Sequence, residues 1–302
     1  MNAPIAAARP TAAGRASRLR RESVPYAFLS PYLIIFAAFW AWPILDSILL
    51  SFQDSRLGQG AGFSLANWRR LATDPFFASA LKNTLSILAI QVPTMLALAL
   101  MLAVALNSPL LRLKGLYRFA FFAPLVVGTV AYSAVFRLLF NTEFGAVNGL
   151  LQSLGLGRVD WLFSATPAMI LIMLAVTWRW TGYNAIILLA GLQSIPGELY
   201  EAAAIDGAGA WTSFTRITVP MLRPSLLFTL VLSIIGTLQL FTEPALITNS
   251  VNGGATTTLG TYLYQQGFRS FNFGYASAIA YTVAFIAGIF SLVQLRLFGR
   301  ES

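Results

Sequence analysis

Leu85-Ser86-Ile87-Leu88-Ala89-Ile90-Gln91-Val92-Pro93-Thr94-Met95-Leu96-Ala97-Leu98-Ala99-Leu100-Met101-Leu102-Ala103-Val104-Ala105-Leu106 carries no charged side chain. As a helix rising 1.5 Å per residue it is about 33 Å long, enough to cross a hydrocarbon core about 30 Å thick. Five further segments satisfy the same test, at about 28–50, 119–140, 167–189, 225–247 and 273–295. Most contain a Pro or Gly (Pro43, Pro93, Pro124, Gly236), which membrane helices tolerate better than soluble ones. The first segment is too long for the 7–15-residue core of a cleaved signal peptide, and no small-x-small cleavage site follows it, so it reads as a retained anchor. The expectation is an all-α membrane protein of six transmembrane helices, with a flexible tail at 1–27 and a single transmembrane domain at 28–302.

Composition agrees. Hydrophobic residues make up 57% of the chain and charged residues 10%, with mean hydropathy +0.70. A soluble domain has about 25% charged residues to clothe its surface. The chain contains no Cys and no His, which excludes disulfides, thiolate or imidazole metal sites and Ser/His or Cys/His nucleophile pairs. Net charge is +9, but the basic residues lie between apolar runs rather than in one patch, which argues for topology and against nucleic acid. Alternate segments starting from the N-terminus hold Arg9, Arg15, Arg18, Arg20, Arg21, Arg112, Lys114, Arg118, Arg216, Arg223, Arg296 and Arg300. The others hold only Arg56, Arg69, Arg70, Lys82, Arg158 and Arg269. The positive-inside rule therefore places both termini in the cytoplasm. The intervening loops at about 51–84, 141–166 and 248–272, rich in Gly, Asn, Ser and Thr, read as irregular connections outside it.

The segment between the fourth and fifth spans, 192–224, has its own helical signals. Pro196 suits a first turn, Glu198 and Glu201 suit a positive N-terminal end, and Gly207 suits a stop. A second short helix is expected from Thr212, ending before Pro220. Read alone, this is a helix–turn–helix elbow, or an ordinary amphipathic surface hairpin. Its residues also carry a motif: Glu201-Ala202-Ala203, Gly207, Ile217 and Val219-Pro220. The spacing resembles the Glu-Ala-Ala, three residues, Gly, nine residues, Ile, one residue, Leu-Pro signature of the inner-membrane permeases of binding-protein-dependent ABC importers, with Val219 in place of Leu. That resemblance implies a cytoplasmic coupling helix that docks on a separate ATPase subunit, with Glu201, Ala202, Ala203, Gly207, Ile217 and Pro220 as the coupling residues. It further implies two ATPase subunits, a second and different permease, and an extracytoplasmic solute-binding protein. The two lysines, Lys82 and Lys114, do not follow glycines, so no phosphate-cradling Gly-Lys-Ser/Thr loop exists here. No cofactor or metal is expected in this chain; ATP and Mg would belong to the partner ATPase, and the chain itself would not be an enzyme.

Looser motifs resemble the oligosaccharide branch, the maltose- and glycerol-phosphate-type sugar permeases: Asn67-Trp68, Asp74-Pro75-Phe76, Asn83-Thr84, Leu246-Ile247-Thr248-Asn249, Gly253-Gly254, Thr258, Tyr262, Tyr264, Phe268, Phe273-Gly274-Tyr275 and Ala276-Ser277-Ala278. The long outer insertion of the maltose-type subunit is absent. Sugars are held by aromatic faces and planar polar groups, which makes Trp178, Arg179, Trp180, Tyr183, Asn184, Gln239 and Glu243 candidates for the substrate path. Gln239 and Glu243 would share one helix face at i,i+4. The tryptophans serve equally well as packing or interfacial anchors, and Arg179 could line the path or pair with Glu243, though about 12 Å of depth separates them. Three other functions compete: an ABC permease for a non-sugar solute, an ion-coupled secondary transporter, and a membrane-embedded enzyme. The second would want mid-span carboxylates and the third a polar cluster at one interface.

Overall fold

The computed structural model describes residues 26–53, 62–248 and 254–298. The tail assigned to 1–27 lies almost wholly outside the described residues, as do Asn249 and Gly253 of the sugar-branch motifs. The described residues form helices: α1 (Tyr26–Ser51), α2 (Ala66–Thr73), α3 (Pro75–Asn107), α4 (Lys114–Val126), α5 (Thr129–Leu139), α6 (Ala146–Ser153), α7 (Ala165–Gln193), α8 (Gly197–Ile205), α9 (Ala210–Met221), α10 (Arg223–Leu238), α11 (Leu259–Tyr264) and α12 (Phe273–Phe298). Their one β feature is an isolated bridge between Gln53 and Phe63. Helices α1, α3, α7 and α12 are long and apolar enough to cross a membrane, and two bent pairs, α4–α5 and α9–α10, raise the number to as many as six.

The packing fixes relative directions. Ile87 of α3 packs with Ile172 and Val176 of α7, and further along Ala99, Ala103 and Leu106 pack with Ala185, Leu188, Leu189 and Leu192. The two helices therefore run parallel. Lipid tails are as apolar as leucine, so contact here comes from close backbone approach at small residues; Ala99, Ala103 and Ala185 are wholly buried. Helix α10 runs the opposite way. Leu222, just before it, joins the Leu106–Leu192 cluster, while its far end, Ile234 and Leu238, joins Phe77, Ala80, Tyr275 and Ile279. Helix α12 therefore begins beside the start of α3, and α1 ends there too, with Asn67 of α2 donating to Gln53 O at 2.8 Å. Tyr281 of α12 bonds Ser47 Oγ and Ile44 O of α1, both at 2.7 Å.

Two expected spans are not continuous. The third breaks at Val127–Gly128, where α4 and α5 meet at 94°. Pro124 removes one backbone donor from the last turn of α4, and the carbonyl of Val127 is taken by Arg179 Nη1 of α7 at 2.9 Å. The fifth ends at Leu238, not near 247. Pro244 has no N–H to give to Leu240 O, and that carbonyl accepts from Thr258 Oγ1 at 2.5 Å instead. A wide turn at Pro244–Thr248 follows. Gln239 and Glu243 consequently flank a break rather than share a regular helix face. The second elbow helix also differs from expectation. It begins at Ala210, runs through Pro220 to Met221, and turns 65° at Leu222 into α10.

Candidate functional site: a central cavity and an exposed elbow

A cavity of about 250 Å³ opens between α3, α7, α10 and the two breaks. Its wall includes Arg179, Trp180, Tyr183 and Asn184 of α7, with Gln239 and Glu243 from the break after α10. Six of the seven path candidates thus come together. Trp178 does not line the cavity; it packs on Tyr132 and Phe136, with ring centroids 6.1 and 5.4 Å away. Trp180 and Tyr183 meet edge-to-face at 5.7 Å. Sequence reasoning missed Gln91, Thr129, Ser233 and Thr237 as lining groups. The one available signal was Gln91, the sole amide in the run 85–106.

The cavity's charged groups are braced by its wall. Glu243 is 6% exposed and accepts a short hydrogen bond from the Tyr132 hydroxyl. The Arg179 guanidinium lies 4.7 Å from the centroid of the Tyr132 ring, a cation–π contact, while donating to Val127 O. Arg179 and Glu243 are therefore linked through opposite parts of one tyrosine. The depth mismatch expected between them is bridged by Tyr132 on α5.

Several sugar-branch motif residues form a frame at the end of the bundle where α3 begins. Asp74 caps α3, accepting from Phe76 N at 2.9 Å, and its other oxygen accepts from Tyr262 and Tyr275 hydroxyls, each at 2.5 Å. Burial alone would raise the Asp74 carboxyl. The two tyrosine hydroxyls and the N–H groups of Phe76 and Phe77 outweigh burial and hold it below its ordinary 3.8. Burial, reinforced by the bond to Asp74, pushes the Tyr262 hydroxyl up to about 12. Arg70 stacks over the Tyr275 ring at 4.0 Å. Thr84 Oγ1 accepts from Leu259 N at 2.9 Å, and Asn83 donates to Thr257 O at 3.0 Å.

At the other end, α8 and α9 form the elbow. Gly207 closes α8 with φ +78°, and Ala208 N donates to Ala203 O at 2.8 Å, the backbone pattern of a left-handed helix stop. Tyr200 and Thr218 hydroxyls bond at 2.9 Å and tie the two helices together. Ile217 packs on the Leu106–Leu192 cluster. Glu201, Ala202 and Gly207 are exposed, with Ala203 and Pro220 half-buried. Beside them Ile205 and Trp211 stand out at 87% and 75% exposure.

The described helices thus form an apolar bundle around a polar, aromatic-lined cavity. Residues 77–298 match the family model described as the binding-protein-dependent transport system inner membrane component, and the chain belongs to that family. It is therefore an inner-membrane permease component of transport, with four to six helices long and apolar enough to cross a membrane. The chain is 42% identical to the lactose transport system permease protein LacF of Rhizobium radiobacter, over 88% of this chain and 91% of that one. It is 35% identical to the arabinooligosaccharides transport system permease protein AraP of Bacillus subtilis, over 92% and 90% of the two chains. Its fold matches a chain of a bacterial alginate ABC transporter in complex with an alginate pentasaccharide-bound periplasmic protein. The TM-score is 0.82 at 24% identity, covering 93% of this chain and 96% of that chain.

Proposed function

We propose that the chain is one of two permease subunits of an ATP-driven importer for a di- or oligosaccharide, and that the sugar passes through the cavity bounded by α3, α7 and α10. The observation that carries this reading is the cavity itself: three aromatic rings, amides and hydroxyls converge on a space inside an otherwise apolar bundle. Relatives named for lactose and arabinooligosaccharides support the cargo class. A second, different permease would complete the path, and an external binding protein would deliver the sugar. ATP and Mg would act in two separate ATPase subunits, leaving this chain without catalysis of its own.

The parallel run of α3 and α7 supports six crossings in the single domain 28–302, with α4–α5 counted as one bent crossing between them. Both termini and the elbow then face the cytoplasm, and the Asp74 frame faces outward. The elbow 192–224 would act as the coupling element, presenting Ile205 and Trp211 to an ATPase groove beside the Glu201–Gly207 motif. Closure of the ATPase pair would move the elbow and, through Ile217 and Leu222, the spans attached to it.

The test is uptake into proteoliposomes holding the complete complex. Labelled lactose and arabinotriose should accumulate only with ATP inside and binding protein outside. Uptake that ignores ATP but collapses with an uncoupler would overturn the reading in favour of ion coupling. Because the chain has no native cysteine, a single Ile205→Cys also reports directly on the elbow. It should crosslink to an ATPase subunit and stay unreactive to impermeant reagents added outside.

A further inference from the structure

The start of α4 and the turn before it put their leucines and their inner cations on opposite sides. The stretch reads Ser108-Pro109-Leu110-Leu111-Arg112-Leu113-Lys114-Gly115-Leu116-Tyr117-Arg118. Leu110, Leu113 and Leu116 are 90%, 70% and 60% exposed, and Leu113 holds a left-handed backbone at φ +48°, an outlier for a bulky side chain. Leu111, Lys114, Arg118 and Phe122 are half-buried and recur at the spacing of one helix face, which looks toward the bundle. Arg118 Nε is buried with no hydrogen-bond partner. The chain has no Asp or Glu between Asp74 and Glu143, and neither Lys114 nor Arg118 forms an ion pair with a described residue.

A basic residue that only marks the inner side of a membrane reaches out to water, as the exposed Arg112 does. Lys114 and Arg118 turn inward instead, about 6 Å apart along α4, and the guanidinium keeps a buried donor that no described carboxylate or carbonyl meets. The missing partner is therefore an anion from outside the chain. Two cationic donor groups one helical turn apart suit the oxygens of a phosphate. The exposed leucines run on into Phe119, 69% exposed, along the outward side of α4. The surface beside the cations is thus continuous with the apolar one that a bilayer covers, which assigns the rest of the ligand to lipid.

We infer that Lys114 and Arg118 hold the phosphate headgroup of an anionic phospholipid whose acyl chains lie on Leu113 and Leu116. The inference rests on the orientation proposed above, which puts this turn in the cytoplasmic leaflet. The ammonium and guanidinium N–H groups donate, and the phosphate oxygens accept. A zwitterionic lipid brings its own cation against the pair and binds more weakly. Leu111 packs on the same cluster as Tyr200 and Ile217 of the elbow, so a lipid seated here braces the base of the elbow.

The experiment strips the complete complex of lipid in a mild detergent and titrates it with phosphatidylglycerol, phosphatidylcholine or inorganic phosphate, reading bound ligand by native mass spectrometry. Wild type should hold a phosphatidylglycerol that Lys114→Gln and Arg118→Gln each bind about fivefold more weakly, and the double variant about 25-fold more weakly. Arg118→Lys should recover most of the loss, and Arg158→Gln, at the opposite end of the bundle, should bind as wild type does. If Arg118→Gln fails to assemble, Lys114→Gln alone decides. Equal affinity for phosphatidylglycerol in wild type and the charge variants overturns the site. Inorganic phosphate bound as tightly as the lipid overturns the lipid in favour of a free anion. Crosslinking of Leu110→Cys to an ATPase subunit overturns it in favour of a protein contact. Labelling of Leu110→Cys by an impermeant reagent added outside overturns the orientation and the leaflet assigned here, whereas the detergent titration does not depend on either.

Discussion

The two ends of the bundle are built differently. Where α3 begins, α3, α11 and α12 meet on a single carboxylate, and side-chain bonds from Asn67, Asn83, Thr84 and Thr258 fasten the surrounding turns. At the elbow end the hydroxyl pair Tyr200–Thr218 joins α8 to α9, and Ile217 and Leu222 pack on an apolar cluster. A network of directional bonds resists sliding and rotation, whereas an apolar seam lets a short unit shift without orphaning polar groups. The bundle is thus cross-braced by side-chain hydrogen bonds at one end and held largely by apolar packing at the other, a division that would suit the coupling role proposed for the elbow.

Substitutions can break or sharpen this contrast. The largest effect is expected at Gly182, where an added Cβ would overlap the Phe121 carbonyl of α4. Gly182→Leu should cost about 3 kcal/mol or more and abolish assembly of the complex, read by size-exclusion chromatography. At the braced end, Asp74→Ala removes a helix cap and strands two tyrosine hydroxyls. It should destabilise the protein by about 2–3 kcal/mol, read as a lowered melting midpoint in detergent.

The same network predicts a pH profile. Asp74 lies below its ordinary 3.8, so its bonds stabilise the fold above that pH and are lost as pH falls through the lower folded value. Tyr262 rises from 10.0 to about 12, so its neutral hydroxyl contributes fully below pH 10 and less as pH climbs through about 12. The melting midpoint should fall between those alkaline limits in the wild-type protein and fall less in Tyr262→Phe. At the elbow end, Gly207→Ala forces a side chain into φ +78° and should cost about 1 kcal/mol. Its signature would be weaker coupling, with ATP hydrolysis retained and uptake reduced. Smallest of all, Tyr281→Phe removes the bonds to Ser47 and Ile44 O and should cost about 1 kcal/mol or less in the same melt.

What the sequence made legible follows the same physics. Spans such as the 85–106 run of α3 are continuous apolar stretches, and the elbow is a linear motif whose Gly207 has one local reason to exist. The breaks were not legible. The one at Val127 depends on Arg179, 52 positions away along the chain, and the one at Leu240 depends on Thr258. Local proline signals at Pro124 and Pro244 were present, but membrane helices often absorb a proline, as α3 does at Pro93. The cavity was half legible. Aromatic and charged residues on α7 announced themselves, whereas Ser233, Thr237 and Thr129 become lining groups only once α10 and α5 are packed beside it.

Gly191 of α7 leaves no space beside Ser225 of α10: an added Cβ would stand 2.5 Å from Ser225 Oγ. The two helices cross there like scissor blades, with the crossing close to the elbow. From that crossing Asn184 is about 10 Å away and Val176 about 22 Å away along α7. A turn of about 10° imposed on the elbow would therefore shift the wall by about 2 Å at the first and about 4 Å at the second. On the proposed reading the short handle would sit with the ATPase and the long blade with the sugar, so the geometry would trade force for reach.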